Sequence, residues 1–303
     1  MATTTATAPG RTRTGGTRRT GGGRGGDERR VWSKVGLAVG VLLIAAYCLA
    51  PFYWMVVSSL KGQNDIFDNS LLPKHATMTN FRAVFSSTNH FDLALRNSLI
   101  ISLTATIVAL VVGMFAAYAM SRLRFRGKFL VLGAILATAM FPGIALLTPL
   151  FNLFTQLNWI DQYQAMVIPD ISFTLPLSIW ILTSFFSEMP WELEQAAKVD
   201  GATPGQAFRK VIVPLAAPGV FTTAILVFIY AWNEYLIASA MSLSLRSMPV
   251  TVAIARFTGA TEHEEPFGSE MAAGVVVTIP LVIAVLILQR RIVAGLTAGG
   301  VKG

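Results

Sequence analysis

The sequence predicts an all-α polytopic membrane protein with six transmembrane helices, and three observations carry that prediction. Hydrophobic residues make up 53% of the 303-residue chain and charged residues only 13%, against about 25% charge in a soluble globular protein. Mean hydropathy is +0.59. The apolar residues gather into runs of 19 to 23 residues, which at about 1.5 Å per residue match a hydrocarbon core about 30 Å thick. Such runs must be helical, because lipid offers no partner for an unpaired backbone N–H or C=O. The short alternating segments of a β-barrel are absent from the sequence.

Residues 1–30 are almost entirely Thr, Gly, Arg and Ala. That composition predicts a disordered basic tail that sets topology beside anionic lipid, not an arm for nucleic acid. The first span is Val35–Val57. It is longer than the apolar stretch of about 7–15 residues in a cleaved signal peptide. Cys48, the single cysteine, follows Tyr47 inside this run and reads as a small helix residue, not a lipid acceptor. One cysteine excludes an internal disulfide and a cysteine zinc site, and His75, His90 and His263 show no metal-ligand spacing.

The segment Ser58–Arg96 is rich in turn residues and leads into Ser98–Met120 and Phe129–Phe151. Ala165–Ser187 follows, interrupted only by Asp170, and then Leu215–Asn233 and Met271–Gln289. Pro142, Pro149, Pro169, Pro176 and Pro280 fall in these runs and predict kinks. With the N-terminus placed inside, 18 of the 24 Lys and Arg residues lie on the inner side and six outside (Lys61, Lys74, Arg82, Arg96, Arg246, Arg256). Positive residues resist translocation, so both termini are expected in the cytoplasm, in a multi-pass plasma-membrane protein.

The connection at 188–214 departs from the short basic pattern of inner loops. It carries Glu188, Glu192, Glu194 and Asp200 and reads as two short helices with a break. Pro190 suits a first helical position, Glu192 and Glu194 complement the helix dipole, and Gly201 suits a left-handed C-terminal cap. Thr203 then reads as an N-cap, with Pro204 next and Gln206 placed for a capping box. Pro214 ends the second helix. An amphipathic pair lying on headgroups explains the helices. It does not explain the flat Ala196–Ala197 patch beside a glycine break, which favours a docking partner.

The loop resembles the EAA signature of importer-type ABC permeases, which reads Glu-Ala-Ala, three residues, Gly, nine residues, Ile-x-Leu-Pro. Gln195, Ala196, Ala197, Gly201, Val211, Val213 and Pro214 fall on that spacing. Gln replaces the Glu, with Glu194 adjacent, and two valines replace Ile and Leu. The resemblance covers nearly everything after residue 31. Asp200-Gly201-Ala202-Thr203-Pro204, Ala231-Trp232-Asn233-Glu234-Tyr235 and Gln289-Arg290-Arg291-Ile292-Val293-Ala294-Gly295-Leu296 are similar to the carbohydrate branch, the MalG-like permeases, and most of all to its trehalose-importing members.

That resemblance implies a type I ABC importer permease with a cytoplasmic coupling helix. It divides the chain into a tail at 1–30, a first helix and outer segment at 31–93, a five-helix domain at 94–289 and a C-terminal tail at 290–303. It implies a second permease subunit, an ATPase dimer using ATP and Mg²⁺, and an extracytoplasmic sugar-binding lipoprotein, with trehalose or maltose as cargo. This chain has no phosphate-loop motif, so no cofactor is expected in it and it is not expected to be an enzyme. Coupling to the ATPase would fall to Glu194, Gln195, Ala196, Ala197, Asp200 and Gly201.

Trp232, Asn233, Glu234 and Asp170 are substrate-path candidates, since intramembrane acids are costly and aromatics and amides suit sugars. Two bland readings stand beside that one: Trp232 and Tyr235 as interfacial aromatics, and the acids as groups hydrated or capped at helix ends. The segment Met241–Gly268, with Glu262–Glu265, either reaches toward the binding protein or presents a solvated face. An ion-coupled secondary transporter working without an ATPase is the alternative. It calls for more intramembrane charge and an internal repeat, neither visible in the sequence. A membrane enzyme calls for a catalytic constellation, and the spans contain none.

Overall fold

The computed structural model describes residues 25–66, 68–86, 89–257 and 266–299. Among the described residues the regular structure is helical, apart from one isolated antiparallel bridge between Lys61 and Ala76. Of the tail expected at 1–30, residues 25–30 are helical and the rest lies outside the described residues, as do Glu262–Glu265 and the last four residues. The chain divides into two compact units, Met1–Tyr53 and Trp54–Gly303. Most of α1 (Gly25–Ser59) lies in the first, and there it exposes or half-exposes every side chain from Trp32 to Ala50, Cys48 included. An apolar surface all round suits a helix in lipid.

The second unit holds α2 (Thr79–Val84), α3 (Phe91–Arg122), α4 (Lys128–Thr138), α5 (Gly143–Gln156), α6 (Gln164–Glu188), α7 (Trp191–Val199) and α8 (Pro204–Ala207). A π-helical turn (Phe208–Ile212), α9 (Val213–Leu215), α10 (Ala217–Asn233), α11 (Leu236–Met241), α12 (Val250–Ala255) and α13 (Phe267–Gly299) complete it. Among the described residues, four stretches, Trp32–Ser59, Phe91–Arg122, Gln164–Glu188 and Phe267–Leu288, are long and apolar enough to cross a membrane. The total rises to six if each of two bent pairs forms one span.

The first of those bent pairs corrects an expected span. Phe129–Phe151 is not one helix, because α4 and α5 meet at 82°. The break falls where Pro142 adopts an extended ψ of 120° as the cap of α5. Proline lacks an N–H and disfavours helical geometry in the residue before it, here Phe141. At the fifth span, Pro204–Leu215 and Ala217–Asn233 meet at 74°, so the turn comes at Ala216, two residues after Pro214. The π-helical turn lies just ahead of that proline, with Val213 N–H reaching back to the Phe208 carbonyl. α5, α6 and α13 run on through Pro149, Pro169, Pro176 and Pro280 without a break.

α3 packs most extensively on α6, and its buried face explains how. Ser98, Ser102, Ala105, Ala109, Gly113 and Ala117 recur at nearly four-residue intervals and are buried. Small residues let helices approach closely where no hydrophobic driving force separates protein from lipid. A Cβ on Gly113 would lie 3.3 Å from Cβ of Ser178 on α6. One core cluster includes Phe91, Ile101, Phe154, Met166, Phe228 and Val250. A second joins Ala117, Leu182, Phe186, Ile212 and Ala216 at the other end of α3.

Lys61, one of the six positive residues placed outside, is fully buried. Its Nζ donates to the Asp68 carbonyl and lies 4.6 Å from the centroid of the Trp54 ring. Asn80 Nδ2 donates to the carbonyls of Ser59 and Lys61 at 2.9 and 2.8 Å. This segment is therefore stapled by its own polar groups.

Candidate functional site

The 188–214 connection folds as two helical pieces around a capped turn. Pro190 serves as the N-cap of α7, one residue earlier than expected, and Glu192 and Glu194 occupy the first turn. The C-terminus closes as a Schellman motif: Ala202 N–H bonds the Ala197 carbonyl at 2.9 Å and Gly201 N–H the Lys198 carbonyl at 3.1 Å. Gly201 sits at φ +85°, the left-handed region that a Cβ disfavours. The capping box is present, with Thr203 Oγ1 accepting from Gln206 N–H at 3.3 Å and Gln206 Oε1 accepting from Thr203 N–H at 2.9 Å.

The loop is held from behind by aromatic packing. Phe208 lies 4.9 Å from the Tyr118 ring, 5.4 Å from Phe115 and 6.4 Å from Phe186, centroid to centroid. α10 comes so close to α6 that a Cβ on Gly219 would stand 2.4 Å from Phe185 Cγ.

α7 has two unlike faces. Glu192, Gln195, Ala196 and Val199, spaced i, i+3, i+4 and i+7, are exposed, Val199 at 86%. Asp200 and Gly201 extend this face, and Ala197 is half-buried beside it. Glu194 is the exception among the expected coupling residues. It is 2% exposed and turns inward, so it offers no surface to a partner. Its Oε1 accepts from Tyr118 Oη and Lys198 Nζ, each at 2.8 Å. Burial works to raise its pKa, but the Lys198 and Tyr118 hydrogen bonds and the charges of Lys198 and Arg122 prevail and hold the carboxyl below its ordinary value. Tyr118 and Arg122 were not legible as partners, since they lie some seventy residues away in sequence.

The substrate-path candidates separate. Asp170 on α6 is 2% exposed, and its Oδ2 has no hydrogen-bond partner among the described residues. It shares a narrow crevice with Glu234, Ser98, Met166 and Pro249. Glu234 caps α11, accepting from the N–H groups of Ile237 and Ala238 at 2.7 and 2.9 Å. Trp232 is 2% exposed and stacks on Phe228 at 5.5 Å, inside the core. Asn233 is exposed, and its Nδ2 donates to the Ile229 carbonyl. The structure thus brings Asp170 and Glu234 together and leaves Trp232 and Asn233 outside their crevice.

At the opposite end from α7, Asp161 seats the chain after α11. Its carboxylate accepts from the N–H groups of Leu243 and Ser244 and from the hydroxyls of Ser244 and Ser247. Asn97 Nδ2 adds bonds to the carbonyls of Leu245 and Met248. Burial opposes ionisation of Asp161, but the Ser244, Ser247 and Leu243 bonds outweigh it and hold the carboxyl below its ordinary value. A depressed carboxylate contributes stability above its unfolded value and loses it as pH falls through the folded one. Asp161→Ala should loosen this seat by about 1–3 kcal/mol at neutral pH, read as faster amide exchange at Leu243 and Ser244. The difference from the parent should shrink as pH falls through the lowered pKa of this carboxyl. Unchanged exchange at neutral pH would contradict this.

A helical chain with several candidate spans, a close-packed α3–α6 pair and a short exposed helix at one end defines a polytopic membrane protein. The family model described as the binding-protein-dependent transport system inner membrane component matches residues 91–297, and the chain belongs to that family. Members are transport subunits, not enzymes. The chain is 51% identical over 261 residues to the trehalose transport system permease protein SugB of Mycobacterium tuberculosis, covering 86% of this chain and 95% of that one. It is 42% identical over 277 residues to the trehalose/maltose transport system permease protein MalG of Thermococcus litoralis, covering 91% and 99%. Its fold matches a chain in the crystal structure of a bacterial ABC transporter involved in the import of the acidic polysaccharide alginate. The TM-score is 0.73 at 22% identity, covering 87% of this chain and 97% of that one. The fold is that of a type I ABC importer permease.

Proposed function

We propose that this chain is one of two permease subunits of an ATP-driven disaccharide importer, with trehalose the first candidate cargo and maltose the second. The observation that carries the coupling part is the two-faced α7. Its exposed stripe of Glu192, Gln195, Ala196 and Val199, ending at the Gly201 cap, stands on a base fixed to α3 and α6. A partner that presses on this stripe moves those helices with it. The cargo assignment is supported by likeness to the trehalose and trehalose/maltose permeases above.

An ATPase dimer using ATP and Mg²⁺ docks on α7, and a second permease subunit completes the passage. An extracytoplasmic sugar-binding lipoprotein delivers cargo to the opposite end, where Asp161 seats the 241–250 segment. The 18-to-6 distribution of Lys and Arg supports cytoplasmic termini and a cytoplasmic α7. Vesicles carrying the assembled transporter and its binding protein should take up labelled trehalose only when ATP is supplied on the α7 side. Uptake driven by an ion gradient without ATP would replace this reading with a secondary transporter.

A further inference from the structure

Four side chains meet where the last turn of α3 faces α7. Tyr118 and Arg122 are one helical turn apart on α3, and Glu194 and Lys198 one turn apart on α7. Tyr118 and Lys198 both donate to Glu194 Oε1, while Oε2 lies 3.7 Å from Arg122 Nε. Both of these last atoms are buried, and neither has a hydrogen-bond partner among the described residues. An ionised donor and acceptor bond at about 2.7–2.9 Å, so an approach of roughly 1 Å converts this contact into a charge-assisted hydrogen bond. Buried charged atoms left short of a bond are costly, so closing this gap would stabilise the joint. Arg122 also grips the chain just ahead of α7, with Nη2 donating to the Met189 carbonyl at 3.3 Å and the guanidinium 5.7 Å from the Trp191 ring centroid.

We propose that this clasp is the joint through which displacement of α7 reaches α3, with Tyr118 and Arg122 acting as positioning residues. Arg122 closes onto Glu194 Oε2 when a docked ATPase presses on the exposed stripe, and relaxes when the ATPase opens. α3 then carries the movement along its small-residue contact with α6. This rests on the coupling role proposed above and adds to it the element that receives the motion.

The test uses the complete transporter in vesicles, with labelled trehalose and ATP measured together. Glu194→Gln, Arg122→Gln and the milder Tyr118→Phe should retain the ATPase at normal yield while sugar carried per ATP hydrolysed falls about tenfold in the first two and less in the third. The Glu194→Gln/Arg122→Gln pair should be no worse than either single change, as expected for residues acting as one unit. Normal sugar-to-ATP ratios in all variants would overturn the clasp. So would loss of the ATPase from Tyr118→Phe, because the cluster would then belong to the docking surface itself. Ala196→Trp separates the two ideas. If it displaces the ATPase while Glu194→Gln transports normally, the clasp alone fails. If it leaves docking and transport normal, the coupling role of α7 fails first.

Discussion

Gly201→Val is expected to leave the chain inserted and folded while lowering ATP-driven uptake at least tenfold. The reason is conformational and not steric. A Cβ built at Gly201 meets nothing within 4 Å, but φ is +85°. For an L residue the left-handed region costs about 1–2 kcal/mol, and a β-branched side chain is the worst case. Relaxing that strain opens the bonds from Ala202 to Ala197 and from Gly201 to Lys198, which fix the angle between α7 and the Thr203 cap. The exposed stripe would then be presented in the wrong direction. Gly201→Asn makes the control, since asparagine tolerates this region and should keep most of the activity. Uptake by Gly201→Val equal to the parent would show that the cap angle does not matter.

Gly219→Val should produce the larger loss of stability. A Cβ there would stand 2.4, 2.6 and 2.8 Å from Cγ, Cδ2 and Cδ1 of Phe185, the root of a half-buried ring, so the ring or its helix must shift. Overpacking of this kind costs about 1–3 kcal/mol, and the extra methyls of valine place the change at the upper end. The detergent-solubilised chain should melt several degrees lower, with α6 and α10 forced apart behind the 188–214 connection. Phe185→Ala in the same chain should restore part of the loss by making room. A double variant no more stable than Gly219→Val would mean that the close approach of α10 to α6 is not the cause.

Much of this architecture was legible because it depends on local chemistry. Runs of apolar residues announce spans whatever they pack against, and the Gly201 turn and the Thr203–Gln206 box are fixed by residues within a few positions of each other. Direction is harder to read. The run Phe129–Phe151 has the composition of one span, yet Pro142 divides it at 82°, while Pro169 and Pro176 leave α6 continuous. A proline restricts the backbone equally at each site, and neighbouring helices decide whether the chain turns.

Side-chain facing was the other blind spot. Glu194 looks like one more acid on an acidic loop, but it is buried because Tyr118 and Arg122 arrive from a helix distant in sequence. Trp232 has the chemistry of a sugar platform, and the ring of Phe228 one turn earlier draws it into the core. The small-residue face of α3 had a sequence signal, nearly four-residue spacing of Ser, Ala and Gly, that hydropathy does not register.

The most direct measurement is purification of the tagged chain from its native membrane in gentle detergent, with identification of the proteins that accompany it. A second six-span permease and an ATPase recovered in fixed proportion, with a sugar-binding lipoprotein added when cargo is present, is the predicted result. A chain that purifies alone and still moves sugar into vesicles without ATP would contradict the account.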